Sequence, residues 1–163
     1  MWKEGGRMIS QTVEYALRAI VMIAQQDGRP CTAKEISATT QVPGPYLSKL
    51  MQGLVRGGIV KSQRGLHGGF TLVKDPKQLT LWEVVDVVDP VQRIRSCPLG
   101  ISSHAGTLCP LHRNLDNVMA TAEKMFRELT VSSMLGQPGN ISPLCETNRV
   151  QTIRLGTGPL SAE

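Results

Sequence analysis

Residues Thr32 to Leu72 read TAKEISATTQVPGPYLSKLMQGLVRGGIVKSQRGLHGGFTL, and this run predicts two short helices followed by a two-stranded hairpin. Thr32-Ala33-Lys34-Glu35 has the form of a capping box, in which Thr32 caps a helix and Glu35 returns the bond. Ile36 is the apolar residue of that helix. Val42-Pro43-Gly44-Pro45 then interrupts the chain, because proline lacks an amide donor and drives its predecessor out of helical geometry. In the second helix Tyr46, Leu47, Leu50, Leu54 and Val55 recur at the three-to-four spacing of a buried stripe. Ser48, Lys49, Gln52 and Arg56 fall largely on the opposite side.

Two helices so joined, the second with a polar outer face, have the layout of a helix-turn-helix whose second helix enters a DNA major groove. Ile59-Val60-Lys61 and Gly69-Phe70-Thr71-Leu72 are strand-like, and the glycines between them allow a tight tip around Arg64. An arginine on a thin loop suits a narrow minor groove, where the potential is most negative. The plainer alternative is a small helical domain with a solvated hairpin.

Outward from this stretch, Ser10 caps a helix to about Gln26, with Val13, Leu17, Ile20, Val21 and Ala24 at helical spacing. Glu14 lies in its first turn, where a carboxylate complements the helix dipole. Asp27-Gly28-Arg29-Pro30 ends it. After a turn at Lys74–Lys77, Thr80-Leu81-Trp82-Glu83 is a second capping box, opening a helix through Val84, Val85, Val87 and Val88 that Pro90 closes. Val91 to Pro110 is irregular and holds Cys97, Ser103, His104 and Cys109; so long a stretch without periodicity usually has a functional reason.

A long helix is predicted from Pro110 to about Ser133. Leu111, Leu115, Val118, Ala122, Met125 and Leu129 step along it by alternating fours and threes, with Met119 and Phe126 alongside. The seam is too short for an independent coiled coil, so it packs on its own domain or pairs with a second copy; pairing is favoured, because a dimer presents two recognition helices to two half-sites. The expected organisation is thus mainly α with a small β-hairpin wing. Residues 1–7 form a disordered extension, 8–90 the winged helix-turn-helix domain, 91–109 a cysteine-containing loop, 110–135 the dimerisation helix and 136–163 a flexible tail. Met8 is an alternative start.

Composition sets the bounds. With 163 residues and few aromatics, the chain supports one domain with an appendage and a core of aliphatic side chains and methionine. A formal charge of +5 favours a polyanionic partner, modestly. No apolar run approaches a bilayer span and no signal-peptide pattern opens the chain, so a cytoplasmic, nucleoid-associated protein is expected. In that compartment four cysteines are thiols or metal ligands rather than structural disulfides.

Cys97, Cys109 and His112 are the one constellation suited to chemistry, with His104 as an additional donor. Thiolate and imidazole match zinc or an iron–sulfur cluster better than magnesium or calcium. The competing reading is a pair of idle or buried thiols and a histidine on the long helix. Cys31 reads as a small hydrophobe and Cys145 as an exposed thiol. Catalysis has little support: no nucleophile set or nucleotide-binding glycine loop is present, and a zinc hydrolase using Glu14 or Glu83 as base finds no further residues in its favour.

Five pieces occur in a telling order: Tyr15-Ala16-Leu17-Arg18, Tyr46-Leu47-Ser48-Lys49-Leu50, Arg64-Gly65-Leu66-His67-Gly68-Gly69-Phe70, Leu79-Thr80-Leu81-Trp82-Glu83-Val84-Val85 and the loop from Cys97 to His112. Together they resemble the IscR/NsrR family of bacterial winged-helix regulators, the Rrf-two type, over roughly Met8 to Leu135. The resemblance implies a homodimer on palindromic promoter DNA, usually repressing, paired through the long C-terminal helix.

Sensing members of that family carry an iron–sulfur cluster on three cysteines separated by five residues each time. Cys97 and Cys109 match the first and third, whereas Ser103 holds the middle position. Some members add an acidic residue near the start of the first helix of the other subunit, where Glu14 falls. Others use a histidine three residues after the last cysteine, which His112 matches. The resemblance therefore implies a 2Fe–2S cluster on Cys97, Cys109, His112 and Glu14 of a second subunit, or a member without a cluster. A third alternative is a winged-helix scaffold for proteins. The expected DNA contacts are Tyr46, Ser48, Lys49 and Gln52 in the recognition helix, with Arg64 and the neighbouring Gly65, His67 and Gly68 in the wing; Lys34, Arg56 and Lys61 are the expected phosphate partners.

Overall fold

The computed structural model describes residues 9–101, 107–136 and 143–144. Its elements are α1 (Gln11–Ala24), α2 (Ala33–Thr40), α3 (Gly44–Arg56), β1 (Val60–Gln63), β2 (Gly69–Leu72), α4 (Leu81–Val88), α5 (Pro110–Glu128) and α6 (Val131–Met134).

Helix α1 is the centre of the domain. Ser10 Oγ accepts the Val13 amide at 3.2 Å and starts it. Ala16, Ala19, Ile20, Met22 and Ile23 are all buried, a wider face than the stripe read from spacing. The reason is that α2, α4, α6 and β2 all pack against this one helix, and the small Ala16 and Ala19 let them approach.

Both capping boxes form. At α2 the Glu35 amide donates to Thr32 Oγ1 and the Thr32 amide to Glu35 Oε2, and Ile36 is fully buried. Gln41 then adopts a left-handed conformation (φ 57°) and makes the turn. Helix α3 begins at Gly44, earlier than Tyr46, because Pro45 lies in the first turn, where a missing amide costs nothing. Its buried residues are Leu47, Leu50, Met51 and Leu54. Met51 belongs to this stripe, whereas Tyr46, read as part of it, is 39% exposed.

Strands β1 and β2 pair antiparallel from Val60↔Leu72 to Gln63↔Gly69. On its other edge β2 exchanges two bonds with Cys31, the Cys31 amide to the Phe70 carbonyl at 3.0 Å and the Phe70 amide to the Cys31 carbonyl at 2.8 Å. The wing is thereby tied to the segment entering α2.

The predicted helix to Ser133 ends at Glu128 instead. Leu129 is extended, the Leu81 amide donates to its carbonyl, and the Val131 amide donates to the Leu79 carbonyl. This antiparallel bridge buries Val131 completely. The isolated bridge between Thr80 and Thr130, fifty residues apart, takes the place of a further helical turn. It returns the end of α5 to the core, where Phe126 and Leu129 pack.

Candidate nucleic-acid interface and sensor loop

Along α3 the side chains of Ser48, Lys49, Gln52 and Arg56 are exposed, as is Lys34 on α2. Ser48 Oγ donates back to the Gly44 carbonyl at 3.0 Å, so it can still accept from a ligand. Tyr46 is held from behind: its hydroxyl bonds Thr12 Oγ1, and its ring stands edge-on to Tyr15 with centroids 5.5 Å apart. Lys49 and Arg56 line a shallow cleft of about 340 Å³ with Tyr46, Gly53 and Val87. In the wing Lys61, Arg64, Gly65 and His67 are exposed, and Gly68 is half-buried beneath them. The Gly68 amide closes the tip by donating to the Gly65 carbonyl at 2.9 Å.

A contact that periodicity did not reveal joins α1 to the helix-turn-helix turn. Arg18 pairs with Glu14 and donates to the Thr40 carbonyl, at the end of α2, at 3.0 Å. A cation there satisfies an orphan carbonyl at the negative end of the helix. Glu14 is half-buried on α1 and engaged with Arg18 within its own chain.

In the loop before α5, Arg93 forks onto Asp116 with two bonds of 2.7 Å, and the Ile94 amide adds a third at 2.9 Å. The Arg93 guanidinium holds the Asp116 carboxyl below its ordinary range. Arg93 also approaches Glu123. Glu123 in turn accepts from Arg127, whose guanidinium lies 4.2 Å from the Trp82 ring centroid. The chain of charges fastens α5 to its own domain.

Cys109 is the N-cap of α5, and its Sγ lies 3.3 Å from His112 Nδ1. Cys97 is half-buried earlier in the loop. Ser103, His104 and Cys145 lie outside the described residues. Among the described residues, no three His, Cys, Asp or Glu side chains lie together in a metal-holding group. The donors suit a soft metal in kind, and among the described residues Cys109 and His112 are in contact. Cys31 is fully buried and donates weakly to the Arg29 carbonyl; burial pushes its thiol upward, keeping it inert.

Residues 9–137 match the family model Rrf2, described as an iron-dependent transcriptional regulator. The chain belongs to the Rrf2 family. A chain of Aquifex aeolicus named as an HTH-type transcriptional regulator is 28% identical over 131 residues, covering 78% of this chain and 91% of its own. Two solved structures share the fold. T. potens IscR has a TM-score of 0.65 at 23% identity, over 80% of this chain and 87% of its own. CymR, the global cysteine regulator of B. subtilis, has 0.64 at 24%, over 78% and 95%.

This Rrf2-family protein is a winged-helix, DNA-binding transcriptional regulator, and its relatives and structural neighbours are regulators rather than enzymes. Among the described residues no helix is long and apolar enough to cross a membrane.

Proposed function

We propose that the protein acts as a homodimer joined through α5, sets α3 of each copy in successive major grooves of palindromic promoter DNA, and represses. The observation that carries this reading is the polarity of α5. No residue in its 19 is fully buried. Its inner side meets the domain through Asp116, Glu123 and Arg127, while Leu111, Leu115, Val118 and Met125 remain 63%, 44%, 52% and 56% exposed. An apolar seam turned outward on a helix fastened by ion pairs is the reverse of what a monomer needs. A second copy supplies the missing cover. Acting on chromosomal DNA places the protein in the cytoplasm, at the nucleoid.

The signal in this reading is redox state, nitric oxide or iron–sulfur status. Cys97, Cys109 and His112, with Glu14 of a second copy, are the residues that would hold a 2Fe–2S cluster, and mixed ligation would raise its potential relative to four thiolates. The adjacency of Cys109 and His112 supports the pairing of those donors. Glu14 meets Arg18 through Oε1, and Arg18 is the side chain that caps α2 at Thr40 through another of its nitrogens. A ligand taken by Glu14 would thus sit one side chain away from the turn that orients α3. A cluster-free repressor is the second reading, favoured by Ser103 at the usual cysteine position.

Anaerobic purification followed by a visible spectrum and iron and sulfide analysis separates the two. Iron and sulfide are expected in the wild type, with loss in Cys97→Ala, Cys109→Ala and His112→Ala. A colourless, iron-free wild type would leave the cluster-free repressor. Full iron in Glu14→Ala would remove the cross-subunit ligand alone.

A further inference from the structure

We infer that Leu66, at the wing tip, is a specificity-determining residue that enters the DNA minor groove and selects against G·C pairs there. The inference rests on the wing reading above and assigns to it a residue that Arg64, Gly65, His67 and Gly68 do not account for.

Leu66 is 96% exposed, the most solvent-facing of the exposed large apolar side chains among the described residues. An apolar side chain standing clear of its own fold is common on a loose loop, but this tip is closed. Gly65, at φ +109°, accepts the Gly68 amide at 2.9 Å. A Cβ on Gly68 would lie 2.4 Å from the Gln63 carbonyl oxygen, so the backbone crosses itself with no space left over. The Gln63↔Gly69 pair and the Cys31 bridge hold the base. Leu66 is thus presented, on a stem whose strands cannot slide.

Charge decides the occupant. From Val60 to Val73 the chain carries Lys61 and Arg64 and no acid, and Arg64 and His67 flank Leu66 on the exposed tip. That surface draws a polyanion rather than a hydrophobic protein face with an acidic rim. A minor groove about 6 Å wide admits one side chain from a hairpin tip, not two strands. Along its floor A·T pairs offer only acceptors, set back between the sugars, whereas G·C adds the projecting guanine N2 amino group. A leucine lying there meets that amino group with methyls, displacing its water and giving no acceptor in return, which leaves a donor unsatisfied. Arg64 alone would bring the wing to a groove of negative potential; Leu66 makes the contact intolerant of the amino group.

The test uses the full-length protein and a pool of random duplexes about three helical turns long, enough for two half-sites. Wild type, Leu66→Ser and Arg64→Ala are each put through binding selection and sequencing, then titrated against the enriched duplex. Wild type should enrich a motif with A·T-only steps flanking the positions read by α3. Leu66→Ser should retain those α3 positions and accept G·C at the flanking steps, losing about fivefold discrimination, the lower end of what one wrong pair usually causes. Its salt dependence should be unchanged, whereas Arg64→Ala should lower the slope by about one. Inosine in place of guanine removes only the N2 amino group, so wild type should bind the inosine duplex as it binds A·T. Unchanged discrimination in Leu66→Ser, or inosine as poor as guanine, overturns the role of Leu66 and leaves DNA binding standing. A wild type that enriches no motif overturns the wing reading as well.

Discussion

Gly69 sits at φ +156°, and a Cβ built on it would lie 2.6 Å from the carbonyl oxygen of Cys31. The neighbour is backbone, already committed to the Phe70 amide, so it cannot move without breaking the bridge that holds the wing. Gly69→Ala should therefore destabilise the protein by about 1–3 kcal/mol, the range for strained backbone, and loosen the wing. Gly53 is the contrast. It lies within α3, and a Cβ there meets nothing within 4 Å. Gly53→Ala should add about 0.5–1 kcal/mol by helix propensity. Urea unfolding midpoints of the two variants should move in opposite directions; a shift of the same sign in both would refute the account of the wing bridge. The two glycines differ in what stands over each one, which sequence spacing does not carry. Tyr46 is the matching case among larger residues. Its spacing put it on the buried stripe, and it is held half-exposed by Thr12 and Tyr15, partners more than thirty residues away.

At the scale of elements, the helix starts set by capping boxes were legible and the end of α5 was not. The boxes Thr32–Glu35 and Thr80–Glu83 are local, with donor and acceptor three residues apart, so sequence alone specifies them. The end of α5 depends on Leu129 and Val131 pairing with Leu79 and Leu81, and no periodicity within residues 110–133 carries that information. The boxes also give the domain an acid sensitivity. Burial, the largest single influence on Glu83, pushes its carboxyl up. The Lys74 ammonium, the Thr80 amide and the Thr80 hydroxyl together outweigh it, and the net value lies below the ordinary 4.5. Glu35 is likewise held low, by the Thr32 amide first, then the Thr32 hydroxyl and Arg29. A carboxyl depressed on folding contributes stability that is present above its unfolded value and lost as pH falls through the folded one. Stability should accordingly drop below about pH 4.5, and Glu83→Gln should flatten that limb. Thr80→Ala should cost about 1 kcal/mol at neutral pH, as removal of a cap does. Thermal melts of the three proteins across pH 3 to 7 test this, and an acid limb of equal slope in Glu83→Gln would be the contrary result.

For the molecule as a whole, the proposed dimer rests on the α5 seam. Covering the exposed half of Leu111, Leu115, Val118 and Met125 is worth roughly 3–6 kcal/mol per chain, taking about 1.5–3 kcal/mol for each side chain buried in full. Two chains contribute roughly 6–12 kcal/mol, against an association cost of about 4–15 kcal/mol. The seam alone therefore supports a dimer only near balance. Leu99 and Ile101, 75% and 41% exposed in the preceding loop, are the apolar surface available to tip it. On the proposed reading the loop that bears Cys97 would then take part in assembly, and Arg93 and Asp116 already pin it to α5. A charge in the middle of the seam should be decisive. Val118→Glu is expected to be a folded monomer by light scattering after size exclusion, with a wild-type circular dichroism spectrum. Lys124→Gln, on a side of the helix turned away from the seam, should keep the dimer mass. The monomer should bind a two-half-site duplex more weakly by about 10²–10⁴-fold, because the second recognition helix is no longer tethered. On a duplex with one half-site the two proteins should differ little. If Val118→Glu remained dimeric and bound both duplexes as wild type does, α5 would not be the interface, and the exposed seam would need a different partner.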